Sequence, residues 1–243
     1  MIGSMKVNFL ISLKDPVGLT IKKLGYKFEE IEEDVIDFKY DKGDAIVIFS
    51  RHESSTNTPS FTVHYPGNPG PNVLGGEPYR LGVAFPRLLT SIYREISLLQ
   101  TNIKKAIEAT HHGPTYQVHP VVFVEIGSDK RYWENEGLVR AMVEATLRAV
   151  DNLGNTECEE VVAGLGGTHY TPYFSKVSIT KCISHVISKY YLDSITPDVV
   201  FQLISNTIQP IDKVIFDNVN STTRNRIIET IQRINSKIKL EFR

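Results

Sequence analysis

Apolar positions along the chain follow two periods, and the switches between them outline the fold. Val7 to Leu13 is an apolar run stopped by Lys14-Asp15-Pro16, and Ala45 to Phe49 is a second, rich in β-branched residues; both predict buried strands. Phe61 to Tyr65 predicts a third. It opens into Pro66-Gly67-Asn68-Pro69-Gly70-Pro71-Asn72 and Gly75-Gly76-Glu77-Pro78, a long loop dense in turn formers. Leu88, Ile92, Ile96, Leu99, Ile103 and Ile107 then recur at helical spacing, which predicts one amphipathic helix from about Pro86 to Glu108. Val121 to Ile126 is a strongly apolar strand ending at Gly127-Ser128. Leu138, Ala141, Met142, Ala145 and Ala149 mark the next helix, and Val161-Val162 begin another strand. Val177 to Thr180 and His185 to Ile187 read as an antiparallel pair. Pro197 to Ser205 and Thr222 to Ile238 read as helices, and Leu240 to Phe242 as an edge strand.

Strands alternating with helices argue for an α/β fold, a mixed sheet flanked by helices, in which ligands collect at strand ends. Neither a repeat nor a linker divides the chain, so residues 1–243 read as a single domain, with 1–4 as an extra leader before Met5. A hydrophobic content of 41% is ample for a core, and a net charge of −1 excludes a global basic field of the kind that drives indiscriminate nucleic-acid binding. Any RNA contact must be local. Two cysteines, Cys158 and Cys182, show neither metal spacing nor a disulfide framework, which fits a reducing, cytoplasmic interior. The start resembles no signal peptide, and no apolar stretch is long enough to span a membrane. Asn220-Ser221-Thr222 matches a glycosylation sequon but reads better as a helix N-cap.

The chemistry is concentrated in histidines. Seven occur, and several fall where a regular element gives way to a loop, the place where rigid scaffolds present catalytic groups. His111 and His112, in Thr110-His111-His112-Gly113-Pro114, diverge unless the backbone turns sharply, which Gly113-Pro114 permits; the bland alternative is a histidine capping a helix end. His169 follows Gly164-Leu165-Gly166-Gly167-Thr168, where bare backbone can offer N–H groups to an oxyanion. Glu125 interrupts an apolar strand, a costly place for a carboxylate unless it is paired or ligating. Thr62 and His64 share a strand face, so His52 and His64 reach one end of the sheet if their strands pair. Gly-x-Ser-x-Gly, Walker, His-Glu-x-x-His and Cys-x-x-Cys signatures are absent. Pattern alone stops at a hydrolase or metal enzyme with histidine-rich loops.

Taken in order, Arg51-His52-Glu53-Ser54-Ser55, Thr62-Val63-His64-Tyr65-Pro66-Gly67-Asn68, the His111-His112 block, Val124-Glu125-Ile126-Gly127-Ser128 and Gly166-Gly167-Thr168-His169-Tyr170-x-Pro172 resemble the archaeal and plant type of D-aminoacyl-tRNA deacylase. The resemblance runs from about Lys6 to the C-terminus. It implies a monomeric, zinc-containing enzyme, with a fold related to peptidyl-tRNA hydrolase and the phosphorylases, that hydrolyses the ester between a D-amino acid and tRNA in chiral proofreading. Tyr173 stands where a basic residue is expected in many relatives.

The residues expected to carry catalysis are His111, His112, Glu125 and His169. Gly166, Gly167, Thr168 and Tyr170 are expected to receive substrate, with Lys104, Lys105, Lys130 and Arg131 on the acceptor end of tRNA. His52, His64, His111, His112 and Glu125 are the candidate zinc ligands. Three mechanisms stay open: zinc activating water, direct acid/base work by the imidazoles, or the terminal ribose hydroxyl and backbone groups orienting water. Two other classes fit the histidine loops alone: a zinc amidohydrolase or phosphorylase-like enzyme acting on a small metabolite, and a non-catalytic RNA- or metal-binding module.

Overall fold

Strand ends and helix starts are tied together by short polar devices, beginning with Asp15. Its carboxylate accepts the N–H groups of Val17 and Gly18, while Pro16 occupies the first helical position, where no donor is needed. In a computed structural model that describes residues 5–53 and 57–243, the elements run in this order. They are β1 (Val7–Ser12), α1 (Pro16–Lys23), β2 (Glu29–Ile31), β3 (Ala45–Glu53), β4 (Ser60–His64), β5 (Gly67–Asn68) and β6 (Arg80–Leu81). Next come α2 (Pro86–Ser97), β7 (Lys104–Ile107), β8 (Val121–Ser128), α3 (Lys130–Trp133), α4 (Glu136–Asp151), β9 (Val161–Gly166) and α5 (Pro172–Val177). The chain closes with β10 (Cys182–Ile187), α6 (Lys189–Leu192), α7 (Pro197–Ser205), β11 (Lys213–Asp217), α8 (Ser221–Ile234) and β12 (Lys239–Phe242). The expected leader, residues 1–4, and Ser54 and Ser55 of the first motif lie outside the described residues.

A six-stranded sheet has the order β2-β1-β3-β8-β4-β7, and β4 runs antiparallel to β8, so the mixed sheet expected from the sequence is present. A second, four-stranded sheet, β10-β9-β11-β12, is wholly parallel, with β12 at its edge. One apolar core fills the helix-covered side. It joins Val47, Phe49, Val63 and Val124 of the first sheet to Leu88 and Ile92 of α2 and reaches Val162 and Ile183 of the second. On the opposite side of the first sheet a smaller core of Leu10, Ile46, Ile48, Val121 and Phe123 is covered by Val35 and Phe38. No helix among the described residues is long and apolar enough to cross a membrane.

Three expectations are corrected. The helix expected over Pro86 to Glu108 ends at Ser97, and Lys104–Ile107 is a strand parallel to β4. Polar Gln100-Thr101-Asn102 interrupts the apolar stripe, and the open edge of β4 offers the next residues ladder hydrogen bonds that outweigh helical spacing. The antiparallel pair expected at 177–187 is instead a crossover: Pro172 starts α5, and β10 returns parallel to β9, as a connection of this length requires. The cysteines, expected to be unpaired, form a disulfide between Cys158 and Cys182, because β10 begins beside the entry to β9 and sets their Cα atoms 5.3 Å apart. The argument from cysteine usage for a reducing interior therefore falls. Asn220 does cap α8, its side chain accepting the Thr223 N–H.

Candidate active site

Side chains alternate across a strand, so one sheet face fixes which residues meet. β3 and β4 flank β8 with Ser50 and Thr62 both in register with Glu125, and His64 opposite Phe123. Below this line the face is apolar; at it, Ser50, His52, Thr62, His64 and Glu125 replace the hydrocarbon, all of them buried. Ser50 donates its hydroxyl to Glu125 Oε1 at 2.9 Å, and His52 Nδ1 approaches Oε2 at 3.3 Å. His64 Nε2 lies 3.4 Å from Oε1.

The segment after β7 supplies the rest. Glu108 donates its N–H to Val63 O, Ala109 to His169 O and Thr110 to Val186 O, so three consecutive residues stitch the edge of the first sheet to the end of the second. His112 adopts φ 44°, in the left-handed region, and this turn brings the adjacent His111 and His112 into the same space with ring centroids 4.5 Å apart. The turn is braced by the 70–78 loop. Gly113 donates its N–H to Leu74 O, and at Gly75, with φ +70°, a Cβ would lie 2.1 Å from Ile36 O. Four imidazoles then crowd together, His64, His112 and His169 each within 4.6 Å or less of His111 by ring centroid.

Tautomers follow from the hydrogen bonds. His64 donates its Nδ1 hydrogen to Tyr65 O, His111 to Ala109 O and His112 to Gly113 O. In the neutral ring each backbone acceptor leaves the opposite nitrogen, Nε2, as a lone pair facing inward, the arrangement by which proteins fix a histidine as a metal ligand. Ligand atoms of His64, His111 and His112 lie within 4.8 Å of one another, as do those of Glu108, His111 and His169, and of His52, Glu108 and Glu125. Both carboxylate oxygens of Glu108 and the Nε2 of His64 are buried without a hydrogen-bond partner. Orphaned buried acceptors of this kind are what a cation-binding centre leaves when its donors are viewed alone.

Charge is distributed unevenly over the cluster. Burial alone pushes His52 down, but its bond to Glu125 and the charges of Glu108 and Glu125 outweigh it and push His52 up to about 10. Protonated, it donates to Glu125 through Nδ1 and to the Tyr170 hydroxyl, 3.0 Å away, through Nε2. Burial likewise opposes ionisation of Glu125, yet interactions with His112, His52 and His64 hold its carboxyl well below the usual carboxylate range. Burial and the neighbouring His64, His112 and His169 hold His111 well below an ordinary imidazole, so it stays neutral. The cluster floors a cavity of about 310 Å³ whose rim carries Arg51 and Leu74. A larger cavity of about 840 Å³ beside Arg87, Arg94 and Cys158 has none of this chemistry.

The structure gathers His52, His64, His111, His112, Glu125 and His169 as the sequence suggested, with Tyr170 at the margin. Gly166 and Gly167 pack against β11: a Cβ on Gly166 would meet Asp217 O at 2.1 Å, and Gly167 already donates its N–H to that oxygen. The Gly167 donor expected to meet an oxyanion is therefore committed elsewhere. Thr168 is exposed and does not line the cavity. Lys104 lies 4.0 Å over the Tyr170 ring, and Lys105 donates to Thr101 O. Lys130 and Arg131 sit past β8 on α3, paired with Glu134 and Asp129 and outside the cavity. Where a basic residue was expected, Tyr173 has the Arg243 guanidinium 3.7 Å over its ring. His185 is structural, bonded to Thr110 Oγ1 and Gly82 O.

Glu108 was missed, because a helical reading of 86–108 placed it at a helix terminus. The two-residue period of a strand over 104–107 would have pointed it inward.

A model of the D-aminoacyl-tRNA deacylase family matches residues 39–239. A D-aminoacyl-tRNA deacylase of Sulfurisphaera tokodaii is 57% identical over 239 residues, covering 98% of this chain and 100% of that protein. One from Saccharolobus solfataricus is 53% identical with the same coverage. A crystal structure described as a conserved protein of unknown function is similar with a TM-score of 0.84 at 25% identity, covering 99% of this chain and 95% of that one.

Proposed function

Because the chain belongs to the D-aminoacyl-tRNA deacylase family, we propose that it hydrolyses the ester linking a D-amino acid to the 3′ end of tRNA, releasing both, as a chiral proofreading hydrolase. The observation that carries this reading to a site is the convergence of three inward Nε2 atoms on two buried carboxylates, Glu108 and Glu125, beside the cavity lined by His111, His112 and Glu125. The full-length match leaves no support for the small-metabolite and non-catalytic alternatives.

The donor set fits zinc: three imidazoles whose ligand atoms lie within 4.8 Å of one another match the donor type of a catalytic site, and the unpartnered Glu108 and His64 atoms support the fit. His64, His111 and His112 would hold the ion, and bound there it would polarise the ester carbonyl and lower the pKa of water. The chain's own groups do the remaining work. Glu108, with no donor committed to it, accepts the proton of the attacking water. His169, 40% exposed at the mouth with Nε2 3.2 Å from Glu108 Oε1, passes that proton to the departing ribose oxygen. Protonated His52, held by Tyr170, compensates the buried charge of Glu125, while the carbonyls of Tyr65 and Gly113 orient His64 and His112. An aminoacyl ester is labile, so positioning and electrostatics suffice.

All these groups come from one chain, which supports a monomer as the working unit, and a tRNA substrate supports a cytoplasmic location. The test is turnover of D-Tyr-tRNA together with metal content for His111→Ala. Loss of both is expected; unchanged turnover would remove His111 from the mechanism.

A further inference from the structure

Next to the cavity, on the far side of Tyr170, lies a groove of about 370 Å³. Tyr170 belongs to both sides: its hydroxyl meets His52 in the site, and its ring carries Lys104 at 4.0 Å. Lys104 and Lys105 of β7 line one wall, and Lys176 of α5 and Ile179, just past its end, line the other. Tyr93 of α2 forms an apolar floor, and Ile179 is 70% exposed.

The charge of this groove is uncompensated. Lys130, Lys181, Lys213 and Lys239 each meet a carboxylate, but among the described residues Lys104, Lys105 and Lys176 form no ion pair. In a chain of net charge −1, three neighbouring unpaired ammonium groups form a local positive strip beside the catalytic cluster. Cationic walls with an aromatic floor are the combination that binds single-stranded nucleic acid, phosphates on the lysines and bases on the flat faces.

Resting on the deacylase reading above, we propose that this groove takes the unpaired 3′-terminal nucleotides of tRNA. The terminal ribose sits at His169 and Tyr170 with its ester directed into the cavity. The phosphates that precede it run along Lys104, Lys105 and Lys176, and a base rests against Ile179 and the edge of Tyr93. Lys176 and Ile179 are the new members, brought to Lys104 by the β9-α5-β10 crossover.

The experiment compares two esters, D-Tyr-tRNA and D-tyrosyl-adenosine, which keeps the terminal nucleoside but has no phosphate. Wild-type enzyme and a Lys104→Ala/Lys105→Ala/Lys176→Ala variant are assayed on both across a salt series. In the variant, the advantage in kcat/KM of D-Tyr-tRNA over D-tyrosyl-adenosine should fall by roughly tenfold or more, and the log–log salt slope for tRNA should flatten by about 2, at about 0.7 per lost phosphate contact. Arginine at the three positions should restore both. An unchanged ratio and slope, or an equal loss on both esters, would overturn the groove. Wild-type enzyme inactive on both esters would instead overturn the deacylase reading.

Discussion

Glu108 keeps two buried carboxylate oxygens outside hydrogen-bond geometry, with only the imidazoles of His169 at 3.2 Å and His52 at 3.4 Å close to Oε1, and a buried acceptor left short of donors costs folding free energy on the order of 1–3 kcal/mol. Glu108→Gln should therefore lower turnover by roughly a hundredfold or more, as expected of a positioned proton acceptor. It should leave the Tm of the metal-free protein unchanged or raised. Retained activity with a lowered Tm would assign Glu108 a structural role. His185 shows the opposite case, a buried histidine whose role is packing. Burial, only partly offset by hydrogen bonding to Gly82 and Asn206, pushes it down to about 4 from an ordinary 6.5. Since its folded pKa lies below its unfolded one, its neutral form contributes stability fully above pH 6.5, and this is lost as pH falls towards 4, by up to about 3 kcal/mol. Urea midpoints at pH 7 and 4.5 should converge in His185→Gln relative to wild type; identical pH dependence would refute the assignment. Motif reading found His111, His112, Glu125 and His169 because loop placement and an ionisable residue in an apolar strand are visible in sequence. Which tautomer each imidazole adopts was not legible, since Ala109 O, Gly113 O and Tyr65 O become acceptors only in the folded backbone.

Elements place these residues through loops that tolerate little change. Gly75 needs φ +70° and has no room for a Cβ beside Ile36 O, and its neighbour Leu74 holds Gly113. Gly75→Ala should cost about 1–3 kcal/mol and lower Tm by roughly 5 °C, with turnover falling as the His111-His112 turn loosens. Gly154→Ala, where an added Cβ meets nothing within 4 Å, is the control. Differential scanning calorimetry with a deacylation assay checks both, and equal effects at the two glycines would contradict the bracing role. The α7 helix and the strands β3, β4 and β8 followed from period and capping alone, because local propensity and burial agree there. β7 and the β9-α5-β10 crossover did not. Both depend on a partner strand far away in sequence, which overrides the local pattern.

At the scale of the whole molecule, the site exists because residues 108–110 join the C-terminal ends of β4 and β7 in the first sheet to the C-terminal ends of β9 and β10 in the second. One mixed sheet was legible from the alternation of elements. The second was not, since nothing in the pattern shows that β9 pairs with β11 and β10 and not with the first sheet. The Cys158–Cys182 bond clamps the entry to that second sheet across a separation of 24 residues. Its reduction should cost about 3 kcal/mol, read as a lower denaturant midpoint with reductant, and Cys158→Ser should show the same loss. An unchanged midpoint would mean that packing alone holds the two strands. The central claim, that this junction hydrolyses the ester of a D-amino acid on tRNA, is tested most directly by a deacylation time course on matched D-Tyr-tRNA and L-Tyr-tRNA. Rapid release of D-tyrosine with the L-ester left intact is the predicted result, and equal rates on the two esters would contradict it.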